Sequence, residues 1–202
     1  MDQPTQPRGD FVAFMNRDKQ PGDNRPAFEG RIAKPGTEEK REMALWAHQY
    51  ADARTGEIRI MFNGSVDAVD AAASAVDQLT ALVATAPEGA AEQSLNNLSL
   101  KPRQIVLFPN GFKGDAPDKD RPDYWGAYNP GDGSALVRIS TWLKKDRNGR
   151  AFMSGATQYP LPGKSEAEMQ RADARDGLEE LVGRGDVTKG MPDKKRKGGR
   201  GE

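Results

Sequence analysis

Side chains between Leu136 and Lys144 sort into two sets at every second position. Val137, Ile139, Thr141 and Leu143 fall on one side, and Leu136, Arg138, Ser140, Trp142 and Lys144 on the other. A period of two is the pattern of a strand whose faces meet different surroundings, and the first set reads as its core face. The run at 135–144 is followed by Asp146-Arg147-Asn148-Gly149 and a second run at 150–157. Asn and Gly accept the positive φ of a tight turn, so the segment predicts a hairpin. Residues 41–50, a turn at 52–56 and residues 57–62 read the same way, and a strand at 11–16 or 104–109 opens each unit.

The two units align as a repeat. Arg25-Pro26-Ala27-Phe28-Glu29-Gly30 stands beside Arg121-Pro122-Asp123-Tyr124-Trp125-Gly126, with Arg, Pro, an aromatic and Gly recurring at an offset of 96, the offset that also relates Trp46 to Trp142. Phe14 and Asn16 answer to Phe108 and Asn110 at 94, Gly56 to Gly149 at 93 and Met61 to Met153 at 92, a drift that small loop insertions explain. Repeats of this kind decide the architecture.

Between and after the units the period becomes helical. Ser65 can cap a helix carrying Val66, Val69, Ala73, Val76, Leu79 and Val83, with Asp67 and Asp70 where the dipole favours anions and Pro87-Glu88-Gly89 at its end. Ser165 with Glu168 forms a capping box ahead of Leu178, Leu181 and Val182. A small meander has one apolar face that must be covered. The expected fold is therefore α+β: two repeated antiparallel β-meanders, as packed sheets or one barrel-like sheet, each followed by a helix. The expected organisation is 1–9 disordered, 10–63 first β repeat, 64–100 acidic helical linker, 101–163 second β repeat, 164–184 helix and 185–202 disordered basic tail. Asp18 to Asn24 and Gly111 to Asp120 are matching polar loops.

Composition narrows the chemistry. The absence of Cys among 202 residues excludes disulfides, thiolate metal sites and cysteine nucleophiles, and His48, the single histidine, excludes a His–His metal site. No apolar run approaches the ~18 residues of a membrane span and Met1 to Asp10 has no signal-peptide core, so a soluble, cytoplasmic protein is expected. The 30 basic and 30 acidic residues cancel, but unevenly. Residues 64–100 carry five acids and no Lys or Arg, whereas residues 101–164 carry eleven bases against six acids.

The feature most like a site is the face of Arg138, Trp142 and Lys144, with Arg121 and Tyr124 expected close by. Rings flanked by cations suit single-stranded nucleic acid, whose bases stack at ~1–3 kcal/mol each while the cations neutralise phosphates. Ala44, Trp46, His48 and Tyr50 offer a weaker version in the first unit. The competing structural reading makes both tryptophans core residues of a closed sheet, with basic side chains snorkelling past them. Lys194, Lys195, Arg196 and Lys197 read either as a phosphate-binding arm or as a solvated end. No nucleotide-loop, serine-hydrolase or zinc-protease motif occurs. Asp115, Asp118, Asp120 and Asp123 cluster without the glycine and terminal glutamate of a calcium loop. An enzyme is not expected, and no cofactor or metal is implied.

Arg121-Pro122-Asp123-Tyr124 and the line from Val137 through Trp142-Leu143-Lys144-Lys145 and Asn148-Gly149 to Ser154 resemble the family called domain of unknown function seven-three-six, small domains of bacterial plasmids and mobile elements. The resemblance covers about 40 residues of the second unit. It implies a small β-rich fold and a phage or plasmid origin, and no mechanism. The expectation is a non-enzymatic protein that binds single-stranded nucleic acid. The alternative is an inhibitor or adaptor that grips a host protein through a sheet edge or the aromatic face.

Overall fold

The period of two persists through eight strands. The computed structural model describes residues 6–52, 55–67, 99–111, 113, 120–161, 163–164 and 168–173. Within them the chain forms β1 (Gly9–Met15), β2 (Phe28–Ala33), β3 (Lys40–Ala51), β4 (Ile58–Val66), β5 (Gln104–Pro109), β6 (Tyr124–Tyr128), β7 (Val137–Lys145) and β8 (Ala151–Gln158). Each strand pairs antiparallel with the next and β8 returns to β1, closing a barrel. Alternation sends Phe11, Ile32, Leu45, Phe62, Leu107, Ile139 and Met153 inward, where all are buried in one core. Eight strands enclose a lumen that side chains can just fill, and each large apolar side chain buried there contributes ~1.5–3 kcal/mol. Phe28 meets Phe62 edge-on at 5.4 Å between ring centroids, and Phe62 meets Tyr124 at 5.1 Å.

Closure overturns the expected α+β fold. That expectation assigned the cover of each meander to a helix, but β4 pairs with β5 and β8 with β1, so each meander covers the other. It also leaves no open strand edge for the adaptor reading to use. Ser65 and Val66 belong to β4 and start no helix: Val66 is fully buried, and its N–H donates to the Arg103 carbonyl at 2.9 Å. The rest of the expected acidic helix, at 68–98, lies outside the described residues, as do Ser165 and residues 1–5 and 174–202. Residues 168–173 are helical.

The two halves of the barrel make matching bonds. Trp46 Nε1 donates to the Asn24 carbonyl at 2.8 Å, and Trp142 Nε1 to that of Asp120 at 3.0 Å. The N–H of Asn16 reaches the Ala27 carbonyl and that of Asn110 the Asp123 carbonyl, both at 2.9 Å. Gly30 and Gly126 share a tighter constraint. A Cβ there would lie 1.9 Å from the Val12 carbonyl oxygen and 1.8 Å from that of Val106, respectively. Only glycine lets the strands coil this closely. Because strands alternate direction, the β1–β2, β3–β4, β5–β6 and β7–β8 connections share one end of the barrel. At the other end Lys34 Nζ bonds Asp132 Oδ2 at 2.5 Å, tying the β2–β3 turn to the β6–β7 turn.

Candidate functional site

Outward side chains line up in rows across the barrel wall. One row runs Lys144, Phe152, Phe14, Glu29, Ala44 from β7 through β8, β1 and β2 to β3, and the next runs Trp142, Ser154, Val12, Arg31, Glu42. The matching rows half a turn away hold His48, Met61, Phe108, Trp125 and Ser140, and Trp46, Asn63, Val106, Ala127 and Arg138.

Equivalent positions have opposite surroundings. Met61, Asn63, Val106, Phe108, Trp125, Ala127, Arg138 and Ser140 are all buried, although they point away from the lumen. Phe108 and Trp125 pack together with ring centroids 5.9 Å apart. Arg138 donates from Nη1 to Asp173 Oδ2 at 2.8 Å, the same oxygen accepts from Ser140 Oγ at 2.7 Å, and Gln158 Nε2 reaches Oδ1 at 3.3 Å. Asp173 belongs to the 168–173 helix, so this helix docks on the outside of β7 and β8 through a buried carboxylate that accepts bonds from both strands.

The other face is open. Phe14 is 56% exposed where its counterpart Phe108 is 5% exposed. Its ring stacks on Phe152 across the β1–β8 seam at 5.9 Å and an interplanar angle of 20°. Beside the stack, the outer surface of β1, β2 and β3 forms a groove of about 1120 Å³ lined by Val12, Phe14, Arg31, Glu42 and Ala44. Both signs of charge stand in the two rows, with Lys144 and Glu29 in the first and Arg31 and Glu42 in the second. Among the described residues neither Arg31 nor Glu42 forms an ion pair, although the two stand directly across from one another on β2 and β3.

The expected nucleic-acid constellation is taken apart by this geometry. Arg138 is fully buried on Asp173, and Arg121 is 3% exposed, so neither presents a cation to solvent. Tyr124 points to the lumen side, against Phe62, and burial pushes its hydroxyl above the ordinary tyrosine range. Trp142 is half-buried and its N–H is already spent on the loop carbonyl of Asp120. Lys144 is exposed and donates to Ser154 Oγ at 3.2 Å. Trp142 and Lys144 are thus the two members that share an open face. Lys194, Lys195, Arg196 and Lys197 lie outside the described residues. Leu143, expected in the core, is 46% exposed because β7 runs past the end of the barrel.

Sequence reasoning missed Phe14, Phe152 and Asp173. The signal for Phe14 was present in its repeat relation to Phe108, and Phe152 shares the outward parity of Ser154. Nothing local marks Asp173 as a partner for a residue 35 positions earlier. His48 Nε2 lies 2.7 Å from Asn63 Oδ1, which occupies it structurally. Asp123 is held by Lys113 at 2.7 Å and accepts from the Leu143 N–H. Among the described residues no cluster could hold a metal ion, and no helix is long and apolar enough to cross a membrane. No family model, curated protein or solved structure matches the chain, so geometry alone carries the functional argument.

Proposed function

We propose that this barrel is a non-enzymatic docking module that binds a partner protein on the outer face of β8, β1, β2 and β3. The observation that carries the reading is the exposed Phe14–Phe152 stack, at the position whose counterpart in the other half is buried. A stacked aromatic pair in water is costly to leave bare, and such patches rimmed by polar groups mark recognition surfaces. Aromatics at the centre and mixed charge around them are the composition of a protein interface.

A second reading, single-stranded nucleic acid on the same stack, is favoured by Lys144 and Trp142 at its edge. The charge decides against it. Phosphates require cations along the strand's path, and here Glu29 and Glu42 stand in the same two rows.

The test compares the protein with a Phe14→Ser variant. After nuclease treatment, the unaltered protein retains a stoichiometric protein partner from a host lysate and the variant loses it at unchanged thermal stability. Retention by both, or quenching of tryptophan fluorescence by a single-stranded oligonucleotide at moderate salt, overturns the assignment.

A further inference from the structure

We infer that the open groove receives an amphipathic helix of the partner protein, one carrying Lys or Arg where the 168–173 helix carries Asp173. This inference rests on the docking reading above and names the chemistry of the occupant. The barrel already contains a worked example of helix recognition: Asp173 sits in a cradle of Arg138, Ser140 and Gln158 on β7 and β8. The matching positions on β3 and just past the end of β4 are Glu42, Ala44 and Asp67, 96, 96 and 91 residues earlier. A cradle for an anion has become a cradle for a cation. Asp67 is already paired with Arg41, which leaves Glu42 as the acceptor for an incoming charge.

The rest of the face agrees. Val12 stands where the covered face has Val106, and Phe14 where it has Phe108, so the apolar character of these row positions is kept. Ala127, which is buried on the covered face, is replaced on the open one by the exposed Arg31. The occupant therefore presents a basic residue to Glu42, an acidic one to Arg31 and an apolar stripe to Val12, Phe14 and Ala44. A polyanion cannot satisfy Glu42, and a uniformly basic segment cannot satisfy Arg31.

The probe is a labelled synthetic peptide of residues 164–182, which contains the 168–173 helix that carries Asp173, bearing the change D173K and compared with the unchanged peptide. Both are titrated into the full-length protein and followed by fluorescence anisotropy. The D173K peptide is expected to bind at least tenfold more tightly at low salt, with the advantage shrinking as salt rises. Glu42→Lys in the protein is expected to reverse the order, and Phe14→Ser to weaken both. If both peptides bind equally and Phe14→Ser abolishes both, the basic-helix assignment fails while the docking reading stands. If neither binds and a labelled single-stranded oligonucleotide does, with sensitivity to Phe14→Ser, both fail.

Discussion

Arg138 illustrates how much one distant residue can change the meaning of another. On its strand it occupies an outward position beside Trp142, which for a solvated face would make it a ligand cation. Asp173 converts it into part of the protein's interior, with side-chain exposures of 0% and 6% for the pair. Removing one member of such a pair strands the other as a buried charge, at a cost of about 3–5 kcal/mol. Asp173→Ala is therefore expected to lower the thermal midpoint sharply, whereas replacing Arg138 and Asp173 together by Met and Leu recovers most of the loss. Differential scanning calorimetry of the single and double variants checks this. The tyrosines set the alkaline limit at the same scale. Burial raises the hydroxyls of Tyr124 and Tyr128 above 10.0 in the folded protein. An unfolded chain ionises at its ordinary value, so the stability these groups contribute is intact below about pH 10 and is lost as pH rises through the folded values. Tyr124→Phe should flatten that decline in urea melts collected from neutral to strongly alkaline pH, and a decline identical to that of the unaltered protein would refute the assignment.

At the scale of elements, the hairpins are what the amino-acid pattern encodes best. Alternation placed Val137, Ile139 and Thr141 inward, the turn residues Asp146 to Gly149 stopped β7, and β5 was bounded at both ends. Close strand packing inside the hairpins depends on Gly30 and Gly126, and Gly126→Ala is expected to cost about 1–3 kcal/mol by overpacking against the Val106 carbonyl. Chemical denaturation at equilibrium measures it. Other elements were illegible for physical reasons. Ser65 followed by two aspartates and spaced valines reads as a helix start because strand and helix patterns overlap over so few residues. Pairing across the β4–β5 and β8–β1 seams joins segments whose relation no local period encodes. Parity along β7 says which side chains leave the lumen and nothing about what lies on top of them. That is why Arg138, Arg121 and Tyr124 were grouped with Trp142 and Lys144, and why Phe14 was not.

At the scale of the molecule, the described residues close into a ring of two similar halves, each completing the other. A half on its own would expose β1 and β4 as unpaired edges, which are templates for pairing. A fragment of residues 6–67 is thus expected to self-associate, with a second copy supplying the strands that the other half normally contributes. Sedimentation equilibrium tests this, and a stable folded monomer would show that closure is dispensable. In the barrel, closure pairs both of these edges.

The contrast between Phe14 and Phe108 also bears on how the protein tolerates change. One of two matching surfaces holds the molecule together, and its counterpart is relieved of that duty. In a saturation mutagenesis screen, damage at Val106, Phe108 or Trp125 should register as lost abundance. Damage at Val12, Phe14 or Arg31 should leave abundance alone and register only as lost binding of the proposed partner.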